Sequence, residues 1–248
     1  MNLLLYLVIA VEQILPFPSP FPVATSNACA FSKAATKANS TNSTFTISYT
    51  PGAHPSVICV GVDFESNTPT VSSVGDGTNG SYTSIGSSAT LGLDALRVYC
   101  VQNTASGALT ISITASATVQ AAFNVMEFSG CLASGAFSSI SESSGTLNTS
   151  GAHDINTSGN VTGNSNDAIV TFTSMYYGPN PAFTVGATNP SGAAIPANAT
   201  YPGGSGNNNI TASYSILSGA YTGKVGNGPG ASSANTYGNT IGFQIKAN

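Results

Sequence analysis

Asp63 and Glu65 stand two residues apart at the end of an apolar run, and Asp76 opens the turn Asp76-Gly77-Thr78-Asn79-Gly80. Alternate residues of a strand share a face, so Asp63 and Glu65 would present two carboxylates side by side. Joined by Asp76, they could hold Ca2+ through hard oxygen ligands. Set about 5 Å or about 6.5–9.5 Å apart, such carboxylates would instead suit a retaining or an inverting glycosidase. The plain alternative is an Asp-led turn beside an exposed strand end. Glu127 shares a strand face with Phe123 and Val125. A buried carboxylate needs a partner, and Arg97, the single arginine, is the natural one. His54 and His153 both lie in turn-forming stretches, and no Gly-x-Ser-x-Gly elbow accompanies them. Solvated loop positions account for them better than a Ser-His-Asp site does.

Flat aromatic faces are the other binding chemistry on offer. There is no tryptophan, but Tyr176, Tyr177, Tyr201 and Tyr221 fall at strand ends or in loops of the second half. Tyrosine combines an apolar ring with a hydrogen-bonding tip, which suits a sugar. Adjacent residues of a strand point to opposite faces, so only one of Tyr176 and Tyr177 can line a given cleft. Tyr177, Tyr201 and Tyr221 are the candidate ligand contacts, with core or rim packing as the alternative role.

The elements that would carry these groups are strands. In residues 44–50, Phe45, Ile47 and Tyr49 alternate with Thr46 and Ser48. In residues 109–114, Leu109, Ile111 and Ile113 alternate with hydroxyl residues, and in 240–246 Ile241, Phe243 and Ile245 alternate with polar ones or glycine. Period two is the mark of half-buried antiparallel strands. Residues 57–62 and 122–128 are almost wholly apolar and read as central strands. The order of these runs repeats, six in residues 45–128 and six in 155–245, each set having a long apolar second strand followed by an Asn and a Pro. The expected fold is all-β: a two-sheet antiparallel β-sandwich of jelly-roll type from two similar six-strand halves. An extended N-terminal segment, residues 1–43, precedes a sandwich domain, residues 44–248.

The N-terminal segment has two readings. Residues 3–11 are an apolar run too short for a bilayer span, which needs roughly 20 residues, so no transmembrane span is expected there. It has the length of a signal-peptide core, and Ala28-Cys29-Ala30 offers a cleavage site, although no Lys or Arg precedes the run. Alternatively Leu3, Leu4, Leu5, Leu7, Ile9 and Val11 form a donor strand. Pro16, Pro18, Pro20 and Pro22 then make a stiff extended spacer, and the strand adds to the open sheet edge of another copy. Four cysteines allow two disulfides in three pairings. Cys59 and Cys100 sit inside apolar strand patterns and read as buried thiols, with Cys29 and Cys131 left as an open pair.

Composition narrows the function. Of 248 residues only 5 are Lys or Arg and 9 Asp or Glu. Five cations cannot neutralise a phosphate backbone, so nucleic acid is excluded as a partner. Ser, Thr, Asn and Gly together make 46 % of the chain, yet hydrophobic residues reach 41 %, enough apolar material for a packed core rather than a disordered tract.

Tyr49-Thr50-Pro51, the Val-rich residues 57–62, Val74-Gly75-Asp76 with residues 79–83, and Glu127-Phe128-Ser129-Gly130 resemble the strand-and-turn pattern of secreted bacterial β-sandwich domains, Ig-like or jelly-roll, of unknown function. The resemblance covers residues 45–248 and implies an extracellular sandwich without catalytic residues. Low charge removes long-range repulsion between copies, and hydroxyl and amide faces pair through bonds that salt scarcely screens. The expectation is a non-enzymatic extracellular or cell-surface protein, structural or adhesive: a filament, surface-layer or virion subunit whose partners are copies of itself. The alternative is a carbohydrate-binding module with glycan partners.

Overall fold

The computed structural model describes residues 27–92, 94–132, 137–147, 154–176, 183–202, 207–229 and 236–248. Among these the regular elements are all strands. The first half supplies β1 (Ala30–Tyr49), β2 (Ser56–Phe64), β3 (Val71–Asp76), β4 (Gly80–Ser81), β5 (Thr83–Leu91), β6 (Asp94–Asn103) and β7 (Leu109–Ser129). The second supplies β8 (Phe137–Leu147), β9 (Ile155–Asn156), β10 (Val161–Gly163), β11 (Ala168–Tyr176) and β12 (Phe183–Val185). It continues with β13 (Ala194–Pro202), β14 (Asn207–Ile216), β15 (Tyr221–Gly223), β16 (Gly226–Pro229) and β17 (Thr236–Ile245). Every pairing is antiparallel. No helix among the described residues is long and apolar enough to cross a membrane.

β1 and β7 run side by side for their whole length and serve two layers. Residues 121–129 of β7 lie between residues 30–39 of β1 and β2, with β6 and β5 beyond. Residues 109–115 lie between residues 44–49 of β1 and β3. The ribbon turns the corner where the register shifts at Asn39 and Asn42, and there Ser116, Ala117 and Thr118 of β7 are exposed. Folding over brings Phe45 against Phe123, with ring centroids 5.1 Å apart. Phe45, Ile47, Ile111 and Ile113 then close on Val60, Val62 and Phe64 as one apolar core.

The second half has the same neighbours in the same order. Its large sheet runs β8–β17–β11–β14–β13, against β1–β7–β2–β6–β5 in the first. Its outer layer pairs β9–β16–β12, against β1–β7–β3, with β10–β15 beside it. The two large sheets pack face to face. Val57, Cys59, Leu96, Met126 and Phe128 meet Val170, Phe172, Ile210, Ile241 and Phe243 in a second apolar core. The contacts across this plane are reciprocal: β1 touches β13 as β5 touches β8, and β7 touches β14 as β17 touches β6. That is the pattern of a two-fold interface, in which a patch meets its own counterpart. The architecture is thus sandwich-like and all-β, with four stacked layers where two sheets were expected.

Both cysteine pairs are bonded, Cys29 to Cys131 and Cys59 to Cys100. The reading of Cys59 and Cys100 as free buried thiols is therefore corrected. β2 and β6 place them directly opposite each other, with Cα atoms 4.1 Å apart. That pairing is a long-range register which local apolar patterning does not reveal. Disulfides are characteristic of an oxidising compartment.

Candidate functional site

Asp63 projects from the same face of β2 as Val57 and Cys59, into the plane between the two large sheets, and is fully buried. Its neighbour is Asp94, the first residue of β6 and equally buried. No N–H or hydroxyl of another residue reaches either Asp63 oxygen, so nothing there stabilises its charged form. Burial, then the adjoining Asp94 charge, pushes the Asp63 carboxyl well above the usual range. Burial also raises Asp94, to about 6, against the opposing hydrogen bonds from Asp63, Ser174, Asn239 and the Ala95 N–H. Asp94 is thus the partner that carries the charge, and Asp63 donates to it. Ser174 on β11 donates to both Asp94 oxygens at 2.9 Å. Asn239 on β17 donates to the Asp94 backbone carbonyl at 3.2 Å. The pair ties one half of the chain to the other.

The three expected metal ligands do not converge. Asp63 is sealed between sheets, Glu65 lies partly exposed just past β2, and Asp76 is committed to its own turn. Asp76 accepts from the backbone of Thr78 (2.7 Å) and Asn79 (2.6 Å) and from the side chains of Asn79 (3.1 Å) and Tyr82 (2.7 Å). Burial opposes its ionisation, but these bonds outweigh it and hold the carboxyl below its ordinary value. Among the described residues no group of three or more His, Cys, Asp or Glu could hold a metal ion. With no exposed surface, Asp63 has no access to a hydrated cation or a sugar.

Glu127 is buried as expected, but Arg97 is not its partner. Glu127 lies opposite Ile58 while Arg97 lies opposite Val62, four residues along β2. Glu127 instead accepts from the Tyr49 hydroxyl (2.9 Å) and the backbone N–H groups of Gly52 (2.7 Å) and Ala53 (3.1 Å), fixing the turn after β1. Arg97 rests on the Phe64 ring and donates to the Pro69 carbonyl at 3.4 Å.

The remaining acids do similar work. Glu142 on β8 accepts from the backbone N–H and hydroxyl of Ser87 on β5, clasping one edge of the sheet pair. Asp154 accepts from the Ala187 N–H at 2.8 Å. Asp167 accepts from Gln244, the Asn164 N–H and the Ala247 N–H. His54 is exposed on the loop before β2, and His153 lies outside the described residues.

Of the tyrosines, Tyr177 lies outside the described residues. Tyr201 belongs to β13, opposite Asn208. Tyr221 is half-buried against Val161, Ile169, Leu217 and Val225 and lines two adjoining clefts. The residues of the expected donor strand, Leu3, Leu4, Leu5, Leu7, Ile9 and Val11, also lie outside the described residues. Asp94, Ser174 and Asn239, and Gln244 and Lys246 at the Tyr221 cleft, were not singled out from sequence. The alternation in 240–246 marked Gln244 and Lys246 as one polar face, but the layer that meets it is not local information. Comparison with family models, curated proteins and solved structures finds no match to this chain.

Proposed function

We propose that the protein is a non-enzymatic extracellular or cell-surface subunit, structural or adhesive, that assembles with copies of itself. The observation that carries this reading is the use made of its acids. Apart from Glu65, each acidic side chain among the described residues is committed to a turn, a loop or another layer. Carboxylates used as fasteners, two disulfides and a nearly uncharged sequence suit a durable building block outside the cytosol. On this reading each half is a sandwich unit of jelly-roll type, and the chain is two such units joined through their large sheets. The N-terminal strand is the link between copies. Size measurement by light scattering tests it: the full chain should form multimers, and removal of residues 2–22 should leave a lone, aggregation-prone domain. Monomers of both forms would overturn the donor-strand link.

A second reading, a carbohydrate-binding module, is favoured by one placement. Tyr221 stands between two clefts bordered by hydroxyl and amide groups, the mixture of ring face and neutral polar groups that sugars require.

A further inference from the structure

The larger cleft beside Tyr221 encloses about 470 Å³ and is walled by Ser138, Ser139, Thr162, Asn164, Gln244 and Lys246. The smaller, about 290 Å³, has Asn189, Pro190, Ser191 and Leu217 across the ring. Tyr221 is a fixed wall between them. Its hydroxyl donates to the carbonyls of Thr188 (2.7 Å) and Lys224 (2.9 Å). The ring lies over the bare backbone of Gly223, where an added Cβ would fall 2.6 Å from the hydroxyl oxygen. A bound chain would therefore meet a surface that is already in place, with little ordering left to do.

The rest of the larger cleft is equally preset. Gly242 pairs with Ser141 but Gln244 with Ser138, so Ser139 and Ile140 form a bulge on β8 opposite Phe243. Bulges re-aim side chains beside functional sites. Ser139 has φ +50°, a left-handed conformation that residues other than glycine rarely hold. Its hydroxyl accepts from the Thr162 N–H at 2.6 Å and the Thr162 hydroxyl at 2.9 Å. The Gln244 amide is held at both ends, accepting from Ser138 and donating to Asp167, each at 2.5 Å. Asp167 sits behind Gln244 and is occupied by Asn164 and Ala247 as well. Lys246 is different. It lines the cleft, and among the described residues its ammonium has neither a carboxylate nor a hydrogen-bond acceptor as partner.

We propose that these two clefts are adjoining subsites for an acidic oligosaccharide, laid across Tyr221, with a ring carboxylate of the ligand meeting Lys246. The proposal rests on the carbohydrate-binding reading and adds the class of sugar. The hydroxyl and amide walls suit sugar hydroxyls, and the Lys246 ammonium on the cleft wall suits one carboxylate per site. Two subsites flanking one ring need a ligand of at least two residues.

The test is calorimetric titration of the full chain with a hexuronic-acid trimer and with the matching neutral hexose trimer. The acidic trimer should bind roughly fivefold tighter, the range of a solvent-exposed ion pair. Lys246→Gln should abolish that preference and leave the neutral trimer unaffected. Ala220 lines both clefts and is exposed, so Ala220→Trp should block both trimers without disturbing the core. Equal binding of the two trimers, or a preference that survives Lys246→Gln, overturns the acidic-ligand proposal and leaves the sugar reading standing. No binding of either trimer, or binding that Ala220→Trp leaves intact, overturns both.

Discussion

The two halves share a strand order and fill their outer seams with different material. In the first, Phe45, Ile47, Val60, Val62, Phe64, Ile111 and Phe123 close on one another as hydrocarbon. In the second, the matching seam sets a buried polar patch, Thr173, Asn227 and Thr240, between two small apolar clusters, Val161, Ile169, Leu217 and Val225 on one side and Ile155, Met175 and Phe183 on the other. Thr173 and Thr240 lie 3.1 Å apart, Asn227 donates to Thr173 at 3.2 Å, and Thr240 donates to the Ile155 carbonyl at 2.7 Å. Glycines bring the layers close there: a Cβ on Gly238 would meet Ile155 at 1.9 Å and one on Gly242 would meet Val225 at 2.3 Å. The backbone ladders set the topology in both halves, and the filling is free to differ as long as every buried polar group is paired. The first half also keeps β1 and β7 as continuous ribbons, where the second uses separate short strands. The Tyr221 clefts open among those short strands.

If the shared plane makes the halves one cooperative unit, the largest effect should come from within it. Phe172 stacks on Phe243 and covers Gly61, where a Cβ would fall 2.4 Å from its ring. Phe172→Ala should cost about 3–5 kcal/mol, and urea denaturation should still show one transition. Two transitions would mean that the halves fold independently. Next in size is the cross-strand disulfide, which only the first half has. Cys59→Ala with Cys100→Ala should lower stability by about 2–4 kcal/mol in the same assay.

The filling itself is open to exchange. Val60→Thr puts an unpaired hydroxyl into the hydrocarbon seam. Thr173→Val strips partners from Asn227 and Thr240 in the polar patch of the second half. Each should cost about 1–3 kcal/mol, and a harmless exchange in either direction would break the contrast. The smallest effect per step is the pH slope of the acid pair. Asp63 and Asp94 both hold raised values in the fold, so the folded chain keeps two protons up to about pH 6, and one above it, that the unfolded chain releases above about pH 4. The stability is complete below about pH 4 and falls as pH rises, by about 1.4 kcal/mol per unit for each extra proton held, more steeply up to about pH 6, where Asp94 ionises, than above it, where only the Asp63 proton remains. Asp63→Asn should flatten the slope when denaturation is repeated from pH 4 to pH 8.

Much of this was legible in the sequence. The alternation around Phe45 and Ile111, the apolar run of β2 and the repeated order of elements are local signals, and each lies where the structure has strands. The polar face of β17 was legible as a face but not as a seam, because hydroxyl alternation looks the same whether water or another hydroxyl layer covers it. Asp63 illustrates the second limit. Its neighbours in sequence, Glu65 and Asp76, indicated a metal site, whereas its partner in space is Asp94, 31 residues away by numbering. The Cys59–Cys100 bond and the true partners of Glu127 were hidden for the same reason: each depends on strand register across the sheet.

If copies of this chain assemble as proposed, they meet through neutral groups, because its acids apart from Glu65 are, among the described residues, already committed inside the fold. Light scattering of the full chain between 50 mM and 1 M NaCl puts that to the test. Multimers of unchanged size across the series are predicted, since uncharged contacts are scarcely screened. Monomers throughout, or multimers that fall apart as salt rises, would contradict it.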